Sequence, residues 1–150
     1  MIVLGADLSF ARTGLVWIDN HYTVWGYRAL TFKPGPHRYL RILKAFKEAV
    51  PEAGLCIIED YAYGAPSRTV IVKLAELGGV FKSVLEAKNV DYLQVSPSAI
   101  KKFITGKGTA EKHIVAQELN RRYCIAFPQD PGFDLSDAAA AAVWGVNHAG

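Results

Sequence analysis

The run Leu55-Cys56-Ile57-Ile58 constrains this chain more than any other feature. It is apolar without alternation and ends on an acid, Glu59. A strand with one wet face alternates polar and apolar residues, so an unbroken run predicts a strand buried on both faces. Such a strand needs a packed layer above it and another below it, and the surrounding sequence supplies both. Residues 2–7, 14–19 and 22–32 read as three neighbouring strands, with Asp19-Asn20 as the turn between the last two, and residues 92–95 make a fifth. Helices are expected over residues 37–50, 67–87, 97–105 and 109–123, and from Asp134 onward. In the first, Leu40, Leu43, Phe46 and Val50 mark the apolar side and Arg38, Arg41, Lys44 and Lys47 the wet side. In the second, Val70, Leu74, Leu77, Phe81 and Val84 form a seam that requires a partner helix or sheet. Gly78-Gly79 within it predicts close approach of another backbone, because each glycine costs about 1 kcal/mol relative to Ala in a helix interior. Ser96-Pro97 and Thr109 read as helix starts. The fold class expected is α/β, a five-stranded mixed sheet flanked by helices on both faces.

Hydrophobic residues make up 51% and charged residues 21% of the chain, the balance of a globular protein with a full core rather than a disordered one. The longest uncharged apolar stretch, residues 138–146, falls far short of the roughly 20 residues that span a bilayer, so no membrane partner is expected. Asp7 interrupts the N-terminal apolar run and no basic segment precedes it, which argues against a secretory signal. Cys56 and Cys124 form neither a metal-ligand spacing nor a disulfide framework, which fits a reducing, cytoplasmic location. The net charge of +3 is unevenly spread: Lys101, Lys102, Lys107, Lys112, Arg121 and Arg122 face only Glu111 and Glu118 within residues 98–122. That segment is either a solvated helical face or a surface for a polyanion.

Four acids stand where an acid needs a reason. Asp7 closes the first apolar strand and Glu59 the buried one. Asp134 and Asp137 lie three apart at a helix start and share a face, with Cβ atoms roughly 5–6 Å apart. Leu135, Ala139, Ala142 and Val146 form a separate, core-facing stripe. Each acid has an ordinary structural reading: Asp7 as a turn residue, Glu59 with Asp60 as a polar strand exit, Asp134 and Asp137 as helix N-terminal acids favoured by the dipole. Together they read differently, because clustered carboxylates repel one another and raise their own pKa values unless a cation lies between them. Oxygen-only ligands suit Mg²⁺ or Mn²⁺. Two such ions about 3.5–4 Å apart activate a water and stabilise the leaving oxygen in phosphodiester hydrolysis. No other catalytic set competes: His21, His37, His113 and His148 fall in no ligand spacing, no serine sits in a nucleophile elbow, and Gly106-Lys107-Gly108-Thr109 lacks the spacing of a Walker loop.

Three blocks, in order along the chain, carry a family resemblance. The first is Gly5-Ala6-Asp7-Leu8-Ser9-Phe10-Ala11-Arg12-Thr13-Gly14, and the second is Ile57-Ile58-Glu59 with tyrosines just beyond it. The third runs from Ser96-Pro97-Ser98-Ala99-Ile100-Lys101-Lys102 through Thr105-Gly106-Lys107-Gly108-Thr109-Ala110-Glu111-Lys112 to Asp134-Leu135-Ser136-Asp137. Together they resemble the RuvC family of Holliday-junction resolvases, which have an RNase H-like fold. The resemblance implies one nuclease domain over residues 1–150, a metal-dependent crossover-junction endodeoxyribonuclease of the bacterial or phage-infected cytoplasm, acting in DNA recombination and repair. It implies Asp7, Glu59, Asp134 and Asp137 as metal-binding catalytic carboxylates that hold two Mg²⁺ ions, with Mn²⁺ able to substitute. Lys101 and Lys112 match lysines that members keep near the scissile phosphate, and Lys112 joins the catalytic set. It implies a homodimer that nicks two strands of a four-way junction symmetrically, with the helix after Glu59 at the interface.

Within this frame Arg12, Arg68, Lys101, Lys107 and Lys112 are expected to contact DNA phosphates. Tyr61 and Tyr63 are the candidates to stack on an unpaired base. Two departures from the family stand out. Leu8-Ser9 replaces the Pro-Gly that many members carry after the first aspartate, and tyrosines stand where phenylalanine is common. With the short length, they point to a phage or otherwise divergent member. The alternatives are an RNase H-type nuclease acting on RNA–DNA hybrids and a catalytically silent DNA-binding protein. A sugar-kinase or actin-like ATPase would need two such lobes. The architecture expected places Asp7 and Glu59 on adjacent strands, within about 12 Å so that paired ions can bridge them, and the four carboxylates in one pocket.

Overall fold

The structure, a computed structural model, describes residues 1–60 and 67–149. Its sheet is built from β1 (Val3–Asp7), β2 (Thr13–Ile18), β3 (Val24–Leu30), β4 (Leu55–Glu59) and β5 (Asp91–Val95), in the order β3-β2-β1-β4-β5. The first three strands form an antiparallel meander. Asp19 closes the β2–β3 turn, its carboxylate accepting from the backbone N–H of His21 at 2.8 Å and of Thr23 at 3.0 Å. β4 and β5 run parallel to β1, so the sheet is mixed.

Side-chain alternation divides the core into two layers. Leu4, Ala6, Leu15, Cys56 and Ile58 pack against α1 (Arg38–Ala49) and α2 (Arg68–Ala87) through Ile42, Phe46, Leu77 and Phe81. Val3, Val16, Ile18, Leu55 and Ile57 face the other way, toward α3 (Pro97–Thr105), α4 (Lys112–Tyr123) and α5 (Asp134–His148). The unbroken run in β4 is thus the strand's two faces read in succession.

The last helix departs from the amphipathic stripe expected of it. Every residue from 135 to 143 is buried, because α5 lies between the sheet and the α3–α4 layer. Its alanines let it approach the sheet so closely that two facing strand positions have no room for a side chain. A methyl group on Gly5 would run into the Ala138 carbonyl and stand 2.7 Å from the Ala142 nitrogen, and one on Gly14 would meet the Asp134 carbonyl.

Other elements also differ in detail from what is expected of them. In α1 the core face is Ile42, Phe46 and Ala49, whereas Leu40 is 63% exposed. Arg38, expected on the wet side, is half-buried; it donates to the Phe32 carbonyl at 2.6 Å and lies over the Phe10 ring. The α2 seam packs only in its second half, through Leu77, Phe81 and Val84, while Val70, Ile71 and Val72 are exposed. Among the described residues nothing lies within 4 Å of a methyl placed on Gly79, so the close approach expected at Gly78-Gly79 is not made at Gly79 by any of them. α4 starts after Glu111 rather than Thr109, because the Ala110 N–H first closes a turn onto the Lys107 carbonyl and Ala110 itself is buried. Ser96 caps α3 as expected, accepting from the Ala99 N–H, with Pro97 in the first turn. No helix among the described residues is long and apolar enough to cross a membrane.

Candidate active site

Parallel pairing of β1 and β4 sets Ala6 opposite Ile58, so the next residues, Asp7 and Glu59, leave the sheet side by side. They do so at the carboxyl end of the strands, the edge where α/β sheets characteristically bind ligands. The first turn of α5 meets the same edge. Phe133 enters the helix with φ 61°, and the Asp130 carboxylate accepts from the Leu135 N–H at 2.9 Å, the Ser136 N–H at 2.9 Å and the Ser136 hydroxyl at 2.6 Å. These bonds satisfy amides that a helix start leaves open. They also fix the angle at which Asp137, buried one turn on, faces the two strand-end acids.

Carboxylate oxygens of Asp7, Glu59 and Asp137 lie within 4.8 Å of one another. The three line a cleft of about 250 Å³ with Leu8, Asp60, Leu74, Pro97, Lys101 and Lys112. Burial, the Asp137 and Asp134 charges, and partial relief from Lys112 bring Asp7 up to about 7. Glu59 is raised to about 9, by burial first, then by Asp7 and Asp137. The two carboxyls lie side by side and titrate as a pair rather than as independent groups. Asp137 is raised by burial, opposed by Lys112, whose Nζ lies 3.1 Å from Asp137 Oδ2. Lys112 in turn is lowered by burial but raised further by Asp137, Asp7 and Asp134.

Such a set of dehydrated oxygens is satisfied by protons or by a hard divalent cation. The donor chemistry fits the second: among the described residues, carboxylate oxygens from three elements converge with no histidine or cysteine among them.

Asp134 does not join the trio. Its Oδ2 sits 3.6 Å from Arg12 Nε, both side chains being partly buried. Its carboxyl is raised by burial, with Lys112 and Arg12 pulling it back. Arg12 is aimed there by the β1–β2 turn, which Thr13 staples by donating to the Ser9 carbonyl at 2.8 Å and accepting from the Ser9 N–H at 3.1 Å. Ser9 also accepts from the Ala11 N–H, a bond that Gly at this position could not offer. Lys101 and Lys112 line the cleft. Lys107, exposed in the α3–α4 turn, and Arg68, exposed at the start of α2, do not. Tyr61 and Tyr63 lie outside the described residues. Asp130, Gly5 and Gly14 are the residues that sequence reasoning missed; Asp130-Pro131-Gly132 just before a helix carried a turn-and-cap signal for the first.

The family model for crossover junction endodeoxyribonuclease RuvC matches residues 3–145. A protein so described from Caldanaerobacter subterraneus subsp. tengcongensis is 30% identical over 95% of this chain and 90% of its own length. Another, from Brachyspira hyodysenteriae, is 28% identical over 95% of this chain and 92% of its own. The solved structure of T. thermophilus RuvC in complex with Holliday junction substrate superposes with a TM-score of 0.82, at 19% identity, over 99% of this chain and 92% of that one, so the RNase H-like fold is shared. The chain therefore belongs to the RuvC family of crossover junction endodeoxyribonucleases.

Proposed function

We propose that this chain is a metal-dependent endonuclease that resolves four-way DNA junctions by hydrolysing phosphodiester bonds at the Asp7–Glu59–Asp137 cleft. The observation that carries the reading is the convergence of three desolvated carboxylates, from β1, β4 and α5, beside two lysines in a chain of this family. The same reading treats residues 1–150 as one nuclease domain.

Asp7, Glu59 and Asp137 would hold the resident cations, with Asp134 beside them. We take these to be two Mg²⁺ ions, replaceable by Mn²⁺. When bound, they supply a water activated for attack and charge stabilisation at the leaving oxygen. The protein's own part is positional and electrostatic. Sheet register and the Asp130 cap set the three carboxylates before substrate arrives. Lys112 neutralises Asp137 and stands where an ammonium can meet negative charge growing on the phosphoryl oxygens. Lys101, on the cleft wall, draws the phosphate in, and Lys107, Arg68 and Arg12 contact the flanking backbone. Tyr61 and Tyr63, just after Glu59 in sequence, are proposed to stack on an unpaired base. A homodimer provides two such clefts for paired, symmetric nicks.

The test is incubation with a labelled four-way junction, its linear duplex and an RNA–DNA hybrid, each with Mg²⁺, Mn²⁺ or EDTA. Paired nicks on the junction alone, lost in EDTA, are expected; preference for the hybrid would favour an RNase H-type activity. Asp7→Asn and Glu59→Gln should lower single-turnover nicking by orders of magnitude and leave junction binding intact. Lys107→Ala should instead weaken binding and lower its salt slope by about one phosphate contact. Wild-type cleavage by Asp7→Asn would make the acids structural and the reading wrong.

A further inference from the structure

Arg12 and Asp134 were each expected to serve a different ligand, and the structure pairs them with each other. The pair is imperfect in a specific way. Arg12 Nε is buried and has no hydrogen-bond partner among the described residues, and its 3.6 Å separation from Asp134 Oδ2 is ion-pair contact without a hydrogen bond. A buried donor left in that state is costly, so the pair is held by charge alone and is open to exchange.

Position adds to this. Asp134 lies close enough to Asp7 to raise its pKa, yet its oxygens stay outside the trio. Arg12 also borders a separate groove of about 360 Å³ with Tyr27, Arg28, Pro128 and Gln129, so the guanidinium has somewhere to go when it leaves the carboxylate. The cation that approaches Asp134 must displace another cation first.

From this we infer that Arg12 is a positioning residue that competes with a divalent cation for Asp134 and keeps this carboxylate out of the trio until the cation takes it. The inference rests on the trio being a cation site. It makes the two ions unequal: the one held by Asp7, Glu59 and Asp137 binds without disturbing Arg12, and the one that needs Asp134 binds against it.

The experiment counts Mn²⁺ bound to the full chain without DNA, by the paramagnetic resonance signal of the free ion. Wild type should bind one ion more tightly than a second. Arg12→Gln should tighten the weaker ion by roughly fivefold, the size of a partly exposed ion pair, and leave the tighter one in place. Arg12→Met, which keeps the apolar stem, should do the same if Arg12→Gln folds poorly, and Arg12→Lys, which keeps the charge, should restore wild-type binding. Asp134→Asn should abolish the weaker site, and adding Arg12→Gln to it should change nothing. Unaltered or weaker binding in both neutral variants overturns the inference while leaving the trio's role intact. So does a gain that persists in the Asp134→Asn background, because Arg12 would then act only through the general field. A wild-type protein that binds no Mn²⁺ overturns the cation-site reading itself.

Discussion

Asp7 and Glu59 each carry a burial cost that ionisation makes worse, and this has a measurable sign. Their ordinary values in an unfolded chain are about 3.9 and 4.3, whereas in the folded, metal-free protein they rise to about 7 and about 9. Between those limits the folded state holds protons that the unfolded state has released. By linkage, stability then falls as pH rises. The loss begins near pH 4 and ends only once the folded values are passed, near pH 9. Thermal melts in EDTA across pH 4 to 9 should therefore show a falling midpoint. Mg²⁺ should remove most of the fall, because a cation takes the place of the protons that these carboxyls retain. Glu59→Gln in EDTA should be more stable than wild type at pH 8 and should flatten the profile. A midpoint that rises with pH in EDTA would mean that the two carboxyls are not desolvated as described.

The elements are positioned by what is missing from them. α5 comes near enough to the sheet to present Asp137 only because Gly5 and Gly14 lack side chains and residues 138–142 are alanines. Gly5→Ala sets a methyl against the backbone of α5, which cannot rotate away as a side chain can. The cost should reach the upper end of the overpacking range, about 3 kcal/mol. Mn²⁺ affinity should fall with it, because the helix that carries Asp137 must retreat. Gly79 is the internal contrast. In a helix interior, with no described residue within 4 Å of the added methyl, Gly79→Ala should stabilise the isolated chain by up to about 1 kcal/mol. Urea unfolding of the two variants side by side checks both signs.

At the scale of the whole molecule, the layer that carries α1 and α2 is unfinished. Val70, Ile71 and Val72 are 38%, 41% and 54% exposed in the first turns of α2, next to a cleft that Leu74 of the same helix helps to line. A second copy packed here would bury an isologous patch and bring two clefts into one particle. Ile71→Glu and Val72→Lys should leave the fold intact and shift sedimentation at micromolar concentration from dimer to monomer, with paired nicking becoming single nicking. A wild-type chain that sediments as a monomer with and without junction DNA would remove this interface. How far the sequence could have shown all this differs from feature to feature. The sheet, its two covered faces and the two strand-end acids were legible in it, because a doubly buried strand leaves an unbroken apolar string that an acid closes. Asp137's face was legible too, through helical spacing from Asp134. The all-round burial of α5 was not, since alanine suits both a buried and an exposed helix face and the decisive partners, Gly5 and Gly14, lie on other strands. Nor was the separation of Asp134 from the trio. Two acids three apart on a helix look equivalent until the β1–β2 turn delivers a guanidinium to one of them and leaves the other to Lys112. Local pattern, then, determines which residues are apolar, which are charged and which share a face. Only the tertiary structure decides which charge meets which, because Coulomb and desolvation energies depend on through-space distances that chain closure alone sets.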